Sequence, residues 1–191
     1  PFSIFSTISG MDYHKLIASR AANIEASGIR KIFDLAATIK DAINLSIGQP
    51  DFDVPDPIKD ACIEAIRGGF NRYPPSAGLP ELRKRVLDQS QQINGVRPED
   101  CIIASGTSGG LTLALLALVN PGDEVLVPDP FFVSYKHLTT ICGGTNVFYD
   151  TYPHFKLDVS RIEKLITPKT KCLLVMSPGN PTGACVSEKE K

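Results

Sequence analysis

The sequence predicts an α/β domain built on a mostly parallel sheet, and three observations carry that prediction. From about residue 100 onward, short apolar runs with little polar alternation are each followed by a helical pattern, as expected of strands buried on both faces and joined by crossover helices. With 191 residues there is enough chain for one domain with a real core. Three unusual segments, GTSGG (106–110), PDPFF (128–132) and SPGNPTG (177–183), each close an apolar run. In α/β sheets ligands gather at such carboxyl ends.

The elements follow in order. Residues 12–26 carry a helical pattern, and AINLSIG (42–48) reads as a short extended piece. PDFDVPDP (50–57) is an ordered loop, because its three prolines cannot donate to a ladder. Asp56 then reads as an N-cap with Pro57 in the first turn. Ile58, Ala61, Cys62, Ala65 and Ile66 recur at helical spacing, which predicts one buried face. After the stiff loop NRYPPSAG (71–78), residues 79–93 form a second amphipathic helix with Leu82, Val86 and Ile93 inward.

Beyond it come the strand CIIAS (101–105), the helix LTLALLALV (111–119) and the turn PGDE (121–124). The strand EVLVPD (124–129), the helix 131–142 and the strand TNVFYD (145–150) follow. The helix 158–167 and the strand KCLLVMS (171–177) complete the pattern.

Composition excludes several function classes. The 42% apolar and 21% charged content is that of a globular chain. Twenty basic residues against 21 acidic ones give a net charge of −1. Without a basic block, neither nucleic acid nor an anionic membrane surface is an expected partner. The longest apolar stretch, 111–119, is about half the length of a membrane span. Five scattered cysteines (62, 101, 142, 172, 185) form no C-x-x-C. They read as free thiols in a reducing cytosol, with Cys62, Cys101 and Cys172 expected to be buried. PFSIFSTISG before Met11 lacks the pattern of a signal peptide; a tag remnant and a natural arm both fit it, and cytoplasm is the expectation.

The three carboxyl-end segments suggest chemistry. GTSGG opens directly into an apolar helix, so its backbone N–H groups and the Thr107 and Ser108 hydroxyls could seat a phosphate. The same residues could simply cap the helix. They match neither the Walker A spacing nor G-x-G-x-x-G, so a nucleotide is not the obvious ligand. In PDPFF one aromatic belongs in the core, while the other could offer a flat face to a planar ligand. Asn180 between Gly179 and Pro181 fits turn chemistry, yet a stiff loop also aims its amide well. Together the three suggest one small ligand with a phosphate, a flat ring and a polar ring substituent.

Six motifs in sequence sharpen this: NLSIGQPDFDVP, NRYPPSAGLPELR, ASGTSGG, NPGDEVLVPDPFFVSY, ITPKTK and SPGNPTGA. In that order, from about residue 28 to 186, the chain resembles the N-terminal half of a class I aminotransferase. These are pyridoxal 5'-phosphate enzymes of fold type I, in the aspartate-aminotransferase-like group. The resemblance implies an incomplete large-domain sheet, with an N-terminal segment belonging to the small domain and dimer arm. It divides the chain at 1–50 and 51–191.

The resemblance also implies residue roles. Gly106, Thr107 and Ser108 match the phosphate-binding turn. Phe132 matches the aromatic that stacks on the pyridine ring, where many relatives have tryptophan or tyrosine. Asn180 matches the asparagine on the ring's phenolic oxygen, which also helps hold the substrate carboxylate, and Gly48 the glycine that lets that carboxylate approach. Tyr73 matches a tyrosine that reaches the partner's cofactor in a homodimer. Asn180–Pro181 and Asp129–Pro130 are expected to be cis.

The substrates implied are an amino acid and a 2-oxo acid. The family's Schiff-base lysine lies beyond SPGNPTG, and Lys169, Lys171 and Lys189 lack its context. No catalytic residue is therefore assigned within these residues, and a truncated chain, inactive alone, is the expectation. A lyase or decarboxylase of the same fold, an inert fragment and a cofactor-binding regulatory domain are the alternatives.

Overall fold

The computed structural model describes residues 15–22, 24, 28, 32, 35, 36, 38–40, 48 and 50–187. The expected helix at 12–26 is described in part, as α1 (Ser19–Ala22). Of the extended piece 42–48, only Gly48 lies within the described residues. Two compact units are present: residues 1–27 with 111–191, and residues 28–110.

In the unit containing 111–191, β1 (Glu124–Asp129) is the middle of a parallel sheet, between β2 (Thr145–Asp150) and β3 (Thr170–Leu173). Val125, Leu126 and Val127 are fully buried because alternate side chains of β1 enter two different cores. Val125 and Val127 pack with Leu115, Val119, Tyr135 and Cys142, from α4 (Gly106–Leu118), α5 (Val133–Ile141) and the residues that end them. Leu126 packs with Tyr149 and with Ile162 of α6 (Val159–Glu163) on the opposite face. Helical cover on both faces explains why the strand is apolar throughout.

In the unit 28–110, α2 (Asp56–Arg67) and α3 (Pro80–Asn94) both carry a proline in the first turn. Arg83 of α3 donates through Nε to the Cys101 carbonyl at 2.8 Å and pairs through Nη2 with Asp100. The Cys101 backbone N–H, then the guanidinium, hold the Asp100 carboxyl below the usual carboxylate range.

Several expectations need correction. Asp56 is the first helical residue of α2 and Pro55 the cap, since the Pro55 carbonyl accepts from Ile58 N at 2.9 Å. The periodic face of α2 exists, but no residue of α2 or α3 is buried, because no described element covers either face. CIIAS is not a strand: its Ile103 N–H donates to Ala77 O of a loop at 2.9 Å, and no strand lies beside it among the described residues. The last strand stops at Leu173 instead of continuing to Ser177. α6 is confined to five residues, capped by Asp158. All five cysteines are free, but Cys62 and Cys185 are exposed, and Cys101 and Cys172 only partly buried.

Candidate functional site

The carboxyl end of the three-stranded sheet carries two of the sequence-predicted site residues. β1 runs into Pro130, Phe131 and Phe132, and the chain beyond β3 runs into the SPGNPTG loop with Asn180. Because β1 and β3 are adjacent and parallel, both segments leave the same edge. The peptides Asp129–Pro130 and Asn180–Pro181 are cis, as are Tyr152–Pro153 and Ser177–Pro178.

The two phenylalanines divide their work. Phe131 stacks on Phe148 of β2, with centroids 4.9 Å apart and planes 20° from parallel. Phe132 meets Tyr135 edge-on at 5.8 Å and 81°, and is only partly buried. Its ring therefore keeps apolar area for another contact.

The Asn180 loop is held by its own polar groups. Gly179 N donates to Ala184 O at 2.8 Å, and Gly183 N to Gly179 O at 2.7 Å. Val186 N donates to Ser177 Oγ at 2.9 Å, closing the base. A Cβ at Gly179 would lie 2.9 Å from Thr182 Oγ1, so this turn is shaped for glycine. Asn180 itself is exposed, at the rim of a cleft of about 40 Å³ that Pro128, Tyr149, Thr151, Met176 and Gly179 also line.

Two residues that sequence reasoning missed, Tyr149 of β2 and Thr151 just after it, brace this end of the sheet. The Tyr149 hydroxyl donates to Leu174 O at 2.7 Å, and Thr151 Oγ1 donates to Asp129 O at 2.8 Å. Thr151 thus holds the end of β1 ahead of Phe132, and Tyr149 the chain ahead of Asn180. Burial pushes the Tyr149 phenol up to about 12, because its ionised form would lose solvation. The signal available in the sequence was Pro128: a proline inside a sheet strand leaves an acceptor in need of another donor.

The remaining predicted residues lie in the unit 28–110. Gly106, Thr107 and Ser108 are exposed in the first turn of the 13-residue helix α4. Gly106 has φ +67°, a left-handed conformation suited to glycine, and nothing lies within 4 Å of where its Cβ would be. Open space above a helix N-terminus suits an oxyanion. Tyr73 is fully exposed at 103%. Gly48 is exposed, with open space around it. Among the described residues no group of His, Cys, Asp and Glu could hold a metal ion, and no helix is long and apolar enough to cross a membrane.

Comparison with known proteins agrees with this architecture. The family profile "Aminotransferase class I and II" matches residues 40–190. The chain is 44% identical over 165 residues to a probable aspartate/prephenate aminotransferase of Rhizobium leguminosarum, covering 84% of this chain and 41% of that protein. It is 38% identical over 179 residues to an aspartate aminotransferase of Pyrococcus abyssi, covering 91% and 46%. The solved aspartate aminotransferase of Thermus thermophilus with maleate superposes with a TM-score of 0.85 at 33% identity, covering 91% and 48%. The chain thus spans less than half the length of these relatives. With the profile matched over most of its length, this chain belongs to the class I and II aminotransferases.

Proposed function

We propose that the protein is a pyridoxal 5'-phosphate-dependent aminotransferase that moves an amino group between an amino acid and a 2-oxo acid. The observation that carries this reading is that Phe132 and Asn180 each follow one of two adjacent parallel strands, at the carboxyl end where such sheets bind ligands. At the sheet end a half-buried aromatic ring and an exposed amide on a stiff loop fit the cofactor's ring, and in the other unit the glycine turn, taken by itself, has open space that fits a phosphate. Bound pyridoxal phosphate supplies an electron sink for negative charge developing at the substrate's α-carbon.

The residues of this chain bind and orient. Gly106, Thr107 and Ser108 offer backbone N–H groups and hydroxyls to a phosphate. Phe132 covers one face of a planar ring. The Asn180 amide donates to a phenolate or carboxylate oxygen and so favours its ionised form. Gly48, without a side chain, leaves room for a substrate carboxylate. Tyr73, exposed and aromatic, is suited to reach a second copy in a homodimer with shared sites. Residues 1–50 form the arm and small-domain segment, and 51–191 the first part of the cofactor domain. Five free thiols fit a cytoplasmic setting.

The test is made on the protein at its full natural length. It is incubated with pyridoxal phosphate, reduced with borohydride and weighed intact, then assayed against a panel of amino acids with 2-oxoglutarate. One stable cofactor adduct and formation of a new 2-oxo acid are expected. A protein with no specific adduct and no amino transfer overturns the assignment.

A further inference from the structure

Pro128 is the fourth consecutive buried residue of the central strand β1, and it has no N–H. The ladder on its β3 side shows what that costs. Leu126 pairs with Leu173, and Leu174 N donates to Leu126 O at 2.9 Å. In a parallel ladder the next bond runs from the residue two further along β1 back to the same Leu174. That residue is Pro128, so the Leu174 carbonyl loses its ladder donor, and β3 ends one residue earlier.

The hydroxyl of Tyr149 occupies the missing donor's place, 2.7 Å from Leu174 O. Tyr149 stands opposite Pro128 on β2 and reaches past the middle strand to do so. Its ring is 2% exposed and packed against Leu126 and Ile162, so few other positions are open to the hydroxyl. Leu174 also opens the segment that leads to Asn180, and Pro128, Tyr149, Gly179 and Asn180 line one cleft.

We propose that Tyr149 is a positioning residue for Asn180: its hydroxyl restores the hydrogen bond that Pro128 removes from the β1–β3 ladder, and thereby fixes the backbone from which the Asn180 loop departs. This rests on the reading of Asn180 as a cofactor contact. Thr151, just past the end of β2, braces the Phe132 segment in the same manner by donating to Asp129 O at the end of β1. Two strand ends of the candidate site are thus tied down by side chains from β2 and the residue that follows it.

The proposal makes a specific double-variant prediction. Tyr149→Phe removes only the hydroxyl. Pro128→Val returns the N–H that the ladder lacks at nearly constant volume. In the full-length protein, Tyr149→Phe is expected to speed amide hydrogen exchange at Gly179, Gly183 and Val186 on the order of tenfold, the size of one lost hydrogen bond. Exchange at Thr145, on the β2 side of β1, stays unchanged. Affinity for pyridoxal phosphate falls by a similar factor, and the pH midpoint of the bound cofactor's visible absorption rises as the Asn180 amide loosens. Tyr149→Phe with Pro128→Val restores all three.

Unchanged loop exchange in Tyr149→Phe overturns the proposal. So does loosened exchange with unaltered cofactor affinity and absorption, or a failure of Pro128→Val to rescue. If the unsubstituted protein does not bind pyridoxal phosphate, the assignment of function fails instead, and loop exchange with its rescue alone decides whether Tyr149 holds the loop.

Discussion

The strand β1 and the helices α2 and α3 use apolar residues to opposite ends. Val125, Leu126 and Val127 are completely shielded from solvent, whereas Ile58 and Ile66, on the apolar face of α2, keep 60% and 58% of their surface exposed. The difference lies in partners. A central strand in a parallel sheet meets neighbours on both edges and helices on both faces. An amphipathic helix presents one stripe, which stays wet until another element lies on it. Periodicity therefore specifies a face, while a core needs a second surface.

The largest test of that contrast is Leu126→Ala. It empties space between Tyr149 and Ile162 and is expected to lower the stability of the full-length protein by about 2–5 kcal/mol, read as a shift in the urea midpoint. A loss below about 1 kcal/mol would mean that the β1 core collapses around the gap, and the contrast would weaken.

Alkali sharpens the same region. The Tyr149 phenol is raised from an ordinary value of 10 to about 12 by burial. The folded state then holds a proton that the unfolded chain gives up. This contribution is whole below pH 10 and is lost as pH rises through about 12. It is on the order of 2–3 kcal/mol if the two-unit difference is fully expressed. Phenolate absorbance should show one tyrosine ionising together with unfolding in that window. In Tyr149→Phe this late step disappears; ionisation of all tyrosines near pH 10 with the fold intact contradicts the burial argument.

Gly106→Ala comes next. Its φ of +67° strains any residue with a Cβ, although open space around it removes any clash. A loss of about 1–2 kcal/mol in thermal stability is expected, with weaker binding of inorganic phosphate if the turn is an oxyanion seat.

Ile66→Ala probes the uncovered face and should cost the least, under about 0.5 kcal/mol at low protein concentration. If a second copy covers α2, the cost grows as concentration rises, because the substitution then also weakens association. A large, concentration-independent cost would show that more of the same polypeptide covers this face.

Much of the architecture was legible because it is local. EVLVPD and TNVFYD coincide with β1 and β2, since an apolar run bounded by turns carries its own ends. The helix expected at 79–93 is found within a residue at each end as α3, Pro80–Asn94. Burial of α2 was misread, because a face was taken for a core. CIIAS was misread as a strand because β structure is a property of pairs, and its Ile103 bonds to a loop. Among the candidate site residues, those with unusual local chemistry stood out: the glycine turn in one unit, and the adjacent aromatics and the Asn180 loop in the other. Tyr149 and Thr151 did not, since they act on carbonyls 25 and 22 residues away in the chain.

Sequence alone determined the alternation of strands and helices, the family, and which loops are candidates for a ligand, because propensity, turn chemistry and motif order are written residue by residue. Only the tertiary structure decided which strand is central and which apolar faces are covered. It also decided where β3 ends, because Pro128 withholds a hydrogen bond from a strand more than 40 residues further along the chain, and the Tyr149 hydroxyl that replaces it comes from a third strand.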